Sequence, residues 1–147
     1  MAADHKNANF GNPAIDDQLC PFCNLEPSRI FADNEHAVAI YDGFPVNPGH
    51  VLIIPKRHVV SLFEVTKEER AALFDLLDDV RCRLIAERKP DGFNIGINDG
   101  AAAGQTVFHL HIHLIPRYVG DCEDPRGGVR KLFPGRARYW KKLNDEG

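Results

Sequence analysis

The spacing of apolar and polar positions changes along this chain, and each change marks an element. RIFADNEHAVAIYD holds two short strand-like runs around the turn pair Asp33-Asn34, which predicts a hairpin. HVLIIP (50–55) predicts a third strand, entered through the turn-rich DGFPVNPG. Next comes a helical period. Thr66 and Glu69 form a capping box ahead of a stripe of Leu73, Phe74, Leu76, Leu77, Val80 and Leu84. Pro90, Asp91 and Gly92 predict that this helix stops near Arg88. FNIGIN (93–98) alternates as a fourth strand, followed by the loop DGAAAGQT. Strands on both sides of one long helix, joined mostly by short turns, predict an antiparallel α+β sheet.

The fifth strand carries the chemistry. From Val107 to Ile115 the period is two, so one face receives Val107, His109, His111, His113 and Ile115. The other receives Phe108, Leu110, Ile112 and Leu114, apolar enough to bury. Neighbouring histidines on such a strand would stand roughly 6.5–7 Å apart, whereas a helix would scatter them. Imidazole fills a core poorly, but it serves well as metal ligand, nucleophile or proton carrier.

Composition sets the bounds. The chain has 147 residues, 44% of them hydrophobic and 27% charged, which suits one domain with a single core. A net charge of -3 argues against nucleic acid as the main partner. Seven cations (Arg126, Arg130, Lys131, Arg136, Arg138, Lys141 and Lys142) nevertheless follow one another without an acid, most simply as a solvated tail. No leader-like apolar segment and no membrane-length run is present, so a cytoplasmic protein without a membrane partner is expected. Residues 1–18 have little apolar periodicity and are expected to form a flexible arm. Neither GxGxxG nor a P-loop occurs.

Cys20 and Cys23, in CPFC, are a second constellation. Two thiolates at this spacing can clasp a tetrahedral Zn²⁺ that two imidazoles would complete. A redox dithiol is the alternative, but it wants a buried strand before the pair and a helix after it. NPAIDDQL is a poor strand and Pro27 interrupts a helix, so zinc is preferred. Cys82 and Cys122 are expected to be bystanders.

HLHIHLI matches the alternation that names the histidine triad (HIT) superfamily. PGHVLIIPKRH (48–58) resembles the third-strand segment of that family and GQTVFHLHIHLIPR (104–117) its active-site loop and strand. CPFC resembles the opening of zinc-bearing members, and GDCEDPRGGVRKLFP the C-terminal extension of some bacterial ones. The resemblance implies a HIT-like fold over 19–120, with five antiparallel strands and one long helix, extended by a basic segment over 121–147 that packs on the domain or trails it. It also implies a homodimer joined at the helix and a sheet edge into a continuous sheet.

The resemblance further implies roles. His111 would be the nucleophile, attacking the α-phosphorus of a purine nucleotide to form a nucleotidyl-histidine. His50, Asn98, Gly104, Gln105, Thr106 and His113 would support the phosphate, and Asp42 would accept from the ribose hydroxyls. Without the resemblance, Asp42-Gly43 reads equally well as a turn. Cys20, Cys23, His58 and His109 would hold a structural zinc. Asn98 and Asp42 resemble the phosphoramidase branch, while AGQTVFH and IPR resemble the dinucleoside polyphosphate hydrolases. A non-catalytic nucleotide-binding scaffold is the rival reading.

Overall fold

The computed structural model describes residues 18–141. The arm expected over 1–18 therefore lies outside the described residues apart from Gln18, as do residues 142–147 of the extension. Strands β1 (Ile30–Asp33), β2 (Ala37–Tyr41) and β3 (Val51–Pro55) precede helix α1 (Lys67–Arg88), and β4 (Gly92–Gly96) and β5 (Ile112–Arg117) follow it. The five strands form one antiparallel sheet in the order β1-β2-β3-β5-β4.

Local chemistry fixes the ends of these elements. Asn34 turns the β1–β2 hairpin by accepting from the amides of His36 and Ala37 through Oδ1. Helix α1 starts with both halves of the expected capping box, Thr66 with Glu69 and Glu69 with Thr66. It stops where expected, at Lys89, which takes a left-handed conformation. Gly49 ends the turn before β3 with φ +86°. A Cβ there would lie 2.7 Å from Arg88 Cδ, so only glycine lets the turn lie against the helix end.

The sheet is covered on both faces, which explains why β2 and β3 read as continuous apolar runs rather than alternating ones. Under α1, Leu73, Leu76, Leu77, Val80 and Leu84 pack with Ala39, Ile53, Leu110, Ile112 and Leu114. On the opposite face Val38, Ile40, Leu52 and Ile54 pack with Phe22, Leu25 and Ile30. At about 1.5–3 kcal/mol for each buried large aliphatic side chain, these two layers are the main source of stability. Among the described residues, no helix is long and apolar enough to cross a membrane.

Four expectations need correction. Phe74 is 46% exposed, so the helix stripe is narrower than its sequence suggests. Strand β4 ends at Gly96, and Ile97 and Asn98 turn into the following loop. The histidine strand pairs only from Ile112, so His109 and His111 stand ahead of it. Pro55 has no N–H to extend the β3–β5 ladder, and its carbonyl instead accepts from the His109 ring at 2.8 Å. The Leu110 amide donates to Val59 O at 2.7 Å. Finally, residues 121–141 stay mostly exposed, as a solvated segment would, but they are not an irregular tail. They form short 3-10 turns at Gly128–Leu132 and Pro134–Arg136 and bury Ala137.

Candidate active site

His111 and His113 stand side by side at the mouth of β5, with ring centroids 5.1 Å apart. The hydrogen bonds around them fix their tautomers. His111 Nδ1 donates to the carbonyl oxygen of His109 at 2.8 Å, leaving the Nε2 lone pair of a neutral ring unprotonated. His50 Nδ1 accepts from the Val46 amide at 3.2 Å, so its proton sits on Nε2 and points to His113 Nδ1 at 2.9 Å. His113 therefore carries its own proton on Nε2, as a donor. Burial pushes His113 down to about 4, and the neighbouring His111 and His50 rings push the same way against Asp42. Burial also lowers His50, opposed by Asp42. Both rings are neutral at pH 7.

Asp42 serves the local turn and faces the histidines at once. Its Oδ1 accepts from the Phe44 amide at 2.9 Å, and its Oδ2 lies 3.4 Å from His50 Nε2. The turn reading of Asp42-Gly43 is thus present in the structure, and one carboxylate oxygen remains on the histidine side.

The loop between β4 and β5 supplies the remaining candidates. Gly104 has φ +93° in the left-handed region, which lets the chain reverse into Gln105. The Gln105 side chain is buried rather than turned to a ligand. Its Oε1 accepts from the Gly100 amide at 2.9 Å, and its Nε2 donates to Val60 O at 3.1 Å and Val107 O at 3.2 Å. It braces the loop. Thr106 is exposed beside it, and Asn98 is half-buried.

The second constellation also assembles. Cys20 and Cys23 lie in the loop ahead of β1, His58 follows β3, and His109 is fully buried. Cys20 Sγ is 3.4 Å from His109 Nδ1, while Cys23 Sγ is 3.1 Å from His58 Nδ1 and 3.5 Å from His109 Nδ1. All four ligand atoms lie within 4.8 Å of one another. A tetrahedral metal with ordinary Zn–S and Zn–N bonds sets its sulfur and nitrogen ligands about 3.5 Å apart. His109 Nε2 donates to Pro55 O, which holds the proton away from Nδ1 and aims that lone pair at the thiols. The donor set therefore fits a tetrahedral metal ion.

A cavity of about 470 Å³ opens beside this site and is lined by His50, Asn98 and His113. Residues 24–120 match the HIT domain family. The chain belongs to the HIT family. It is 41% identical over 103 residues to a HIT-like protein of Mycoplasma genitalium, covering 67% of this chain and 73% of that one. It is 36% identical over 107 residues to the adenylylsulfatase HINT3 of Arabidopsis thaliana, covering 70% and 54% respectively. Among solved structures, a Zn-bound histidine triad family protein of Mycobacterium smegmatis superposes with a TM-score of 0.66 at 32% identity, covering 90% of this chain and 100% of that one.

Three features of this HIT domain escape sequence reasoning. Phe22 meets both His109 and His111 edge-on, with centroids 5.9 and 5.1 Å away, and so joins the thiol loop to the histidines. Arg117 grips Asp121 through two 2.8 Å bonds and Asn94 Oδ1 through one of 2.7 Å, and Asn47 also donates to Asp121 at 2.8 Å. This network holds the Asp121 carboxyl far below the usual range and frames the cavity. Arg117 and Asp121 stand four apart across a turn, a cue visible in the sequence. Phe22 gives none, because its contact joins residues remote in the chain. The extension is the third: Gly128 and Val129 form part of the cavity wall.

Proposed function

We propose that this chain is a nucleotide hydrolase or nucleotidyl transferase that attacks the α-phosphorus of a purine nucleotide through His111. The observation that carries the reading is the His111 hydrogen bond to His109 O, which leaves Nε2 as the nucleophile. The Nε2–P bond forms as the bond to the leaving group breaks, and the electron pair departs with that group. Water or another acceptor then attacks phosphorus and releases its proton to solvent, the P–Nε2 bond breaks, and neutral imidazole returns. The His113 Nε2–H, oriented by His50, donates to a phosphoryl oxygen as charge builds there. Asn98, the 104–106 backbone and Thr106 complete that cradle, with Gln105 as its brace. The remaining Asp42 oxygen accepts from ribose.

Adenosine phosphoramidates and diadenosine polyphosphates are the substrate classes that suit this chemistry. A relative named as an adenylylsulfatase supports action on an adenylyl group. Zinc is the metal proposed for Cys20, Cys23, His58 and His109, where four protein ligands would make a closed, structural site. The half-exposed Phe74, Ile85 and Ile95, on α1 and edge strand β4, support a homodimer through the helix and that sheet edge. Four cysteines without a disulfide suit the cytoplasm.

Paired product analysis tests the reading. Wild type and His111→Ala would each receive adenosine phosphoramidate or a diadenosine polyphosphate, and AMP would be followed by chromatography. The expected result is AMP from at least one substrate with wild type, and none with His111→Ala despite retained nucleotide binding. Full activity in the variant, or binding without turnover in wild type, would overturn it in favour of a scaffold.

A further inference from the structure

We propose that the C-terminal extension contains a second anion subsite, a cation-lined hollow that holds the distal phosphates of a dinucleoside polyphosphate whose first phosphate lies at His113. This deepens the proposed function and rests on it.

The groups assigned to the first phosphate (His50, Asn98, Gly104, Thr106 and His113) include no lysine or arginine, and burial keeps both histidines neutral. Among the described residues lining the adjoining cavity, Arg117 is the one guanidinium, and Asp121 neutralises it through two hydrogen bonds. A polyphosphate chain brings about one negative charge per phosphate, and at close range each uncompensated charge is costly. The proximal site cannot balance such a chain.

The extension can. A hollow of about 330 Å³ lies beyond the first cavity and shares Cys122 with it. Arg126, Lys131, Arg138 and Lys141 line it, against two carboxylates, Glu123 and Asp124. Asp124 answers Arg126 at 3.0 Å, and the Lys131 ammonium meets the Asp124 carbonyl. Among the described residues, no ion pair answers Arg138 or Lys141.

The cations are presented by a folded unit. The Arg126 guanidinium lies 4.5 Å over the Trp140 ring, and Arg130 lies 4.9 Å over Tyr139. Gly127, at φ +92°, brings its backbone against Ala137 O and the Trp140 ring, where a Cβ would fall 3.1 Å from that oxygen. A hollow of this size suits a few phosphates rather than a nucleic-acid strand, in keeping with the chain's net charge of -3. A phosphoramidate has only a small leaving group and would make no use of it.

The test is calorimetric binding of a methylene-bridged diadenosine tetraphosphate and of AMP, to wild type and to Arg138→Glu/Lys141→Glu. Wild type should bind the bridged compound about tenfold or more tighter than AMP, and raised salt should shrink that difference. The double variant should lose the advantage while its AMP affinity stays within about twofold. Arg138→Gln/Lys141→Gln, checked by thermal melting, should lose part of it and guards against a misfolded charge reversal. Equal wild-type affinities, binding of neither ligand, or parallel losses for both in the variants would overturn the subsite. Phosphoramidate turnover by wild type separates the two readings. Turnover without the binding difference sinks only the subsite, whereas the binding difference without turnover on any nucleotide sinks only the α-phosphorus chemistry.

Discussion

The carbonyl oxygen of His109 accepts the Nδ1 proton of His111 at 2.8 Å, while the His109 ring is fixed between Pro55 O and the thiols of Cys20 and Cys23. One residue thus connects the Cys–His cluster to the unprotonated nitrogen of its neighbour. Its ring belongs to one site and its main chain orients the other.

Loss of the Cys–His cluster should therefore reach the candidate active site. On the proposed zinc reading, Cys20→Ser/Cys23→Ser should abolish zinc uptake and cost several kcal/mol of stability, as loss of a structural metal does. Turnover should fall with it, because the His109 ring would lose its partners on the Nδ1 side and keep only the Pro55 bond. Elemental analysis, thermal melting and AMP release on the same preparation check this. Unchanged stability in a metal-free variant would refute the structural role.

In the proposed mechanism His50 acts through His113, as a positioning residue. His50→Ala removes the group that fixes the His113 tautomer, and loss of such an orienting partner typically costs about 10–100-fold. The loss should fall on kcat rather than KM, since in that mechanism His113 would serve charge that builds in the transition state. His50→Gln, whose amide can still donate to His113 Nδ1, should recover part of the rate. Equal rates for the alanine and glutamine variants would argue against orientation.

The buried histidines also set an acid limit on stability. In the unfolded chain a histidine titrates near 6.5, whereas His113 titrates near 4 in the folded protein and His50 is lowered as well. Between those values the unfolded state binds more protons, so stability should fall as pH drops from about 6.5 toward 4. The limiting slope is about 1.4 kcal/mol per pH unit for each such group. Glu69, held down at about 2 chiefly by its hydrogen bonds to Arg57, extends the loss below pH 4.5. Urea denaturation at stepped pH should show a shallower slope between pH 6.5 and 4 for His113→Gln than for wild type. An identical slope would mean that His113 does not carry the effect.

Local rules made most of this fold legible. The Thr66–Glu69 box, the Pro90–Gly92 stop and the Asp33-Asn34 turn are chemistry between near neighbours, and each stands where the sequence puts it. The alternation of the histidine stretch correctly sends Leu110, Ile112 and Leu114 into the core. It fails to show where pairing begins, because that depends on Pro55, more than fifty residues earlier, whose carbonyl is taken by a ring. The inward Gln105 and the folded extension were illegible for the same reason. Their partners, Val60 and the Trp140–Arg126 stack, are set by tertiary packing and leave no periodic trace. For the candidate site, residue types were readable from the sequence, while tautomers needed distances.

Gln105 gives the sharpest test of that distinction. Its amide satisfies the Gly100 N–H and the Val107 carbonyl around the loop that precedes the histidines, and ties that loop to the Val60 carbonyl after β3. Gln105→Leu keeps a similar volume but leaves those three half-buried groups without this partner, at roughly 1–3 kcal/mol. Gln105→Glu keeps the acceptor for Gly100 and loses both donated bonds, setting a carboxylate against two carbonyl oxygens. Both variants should melt lower than wild type and lose turnover, since the Gly104–Thr106 backbone would no longer be held in place. If Gln105 instead reached the substrate, Gln105→Leu would lower activity with little change in melting temperature, and that outcome would return the side chain to the ligand.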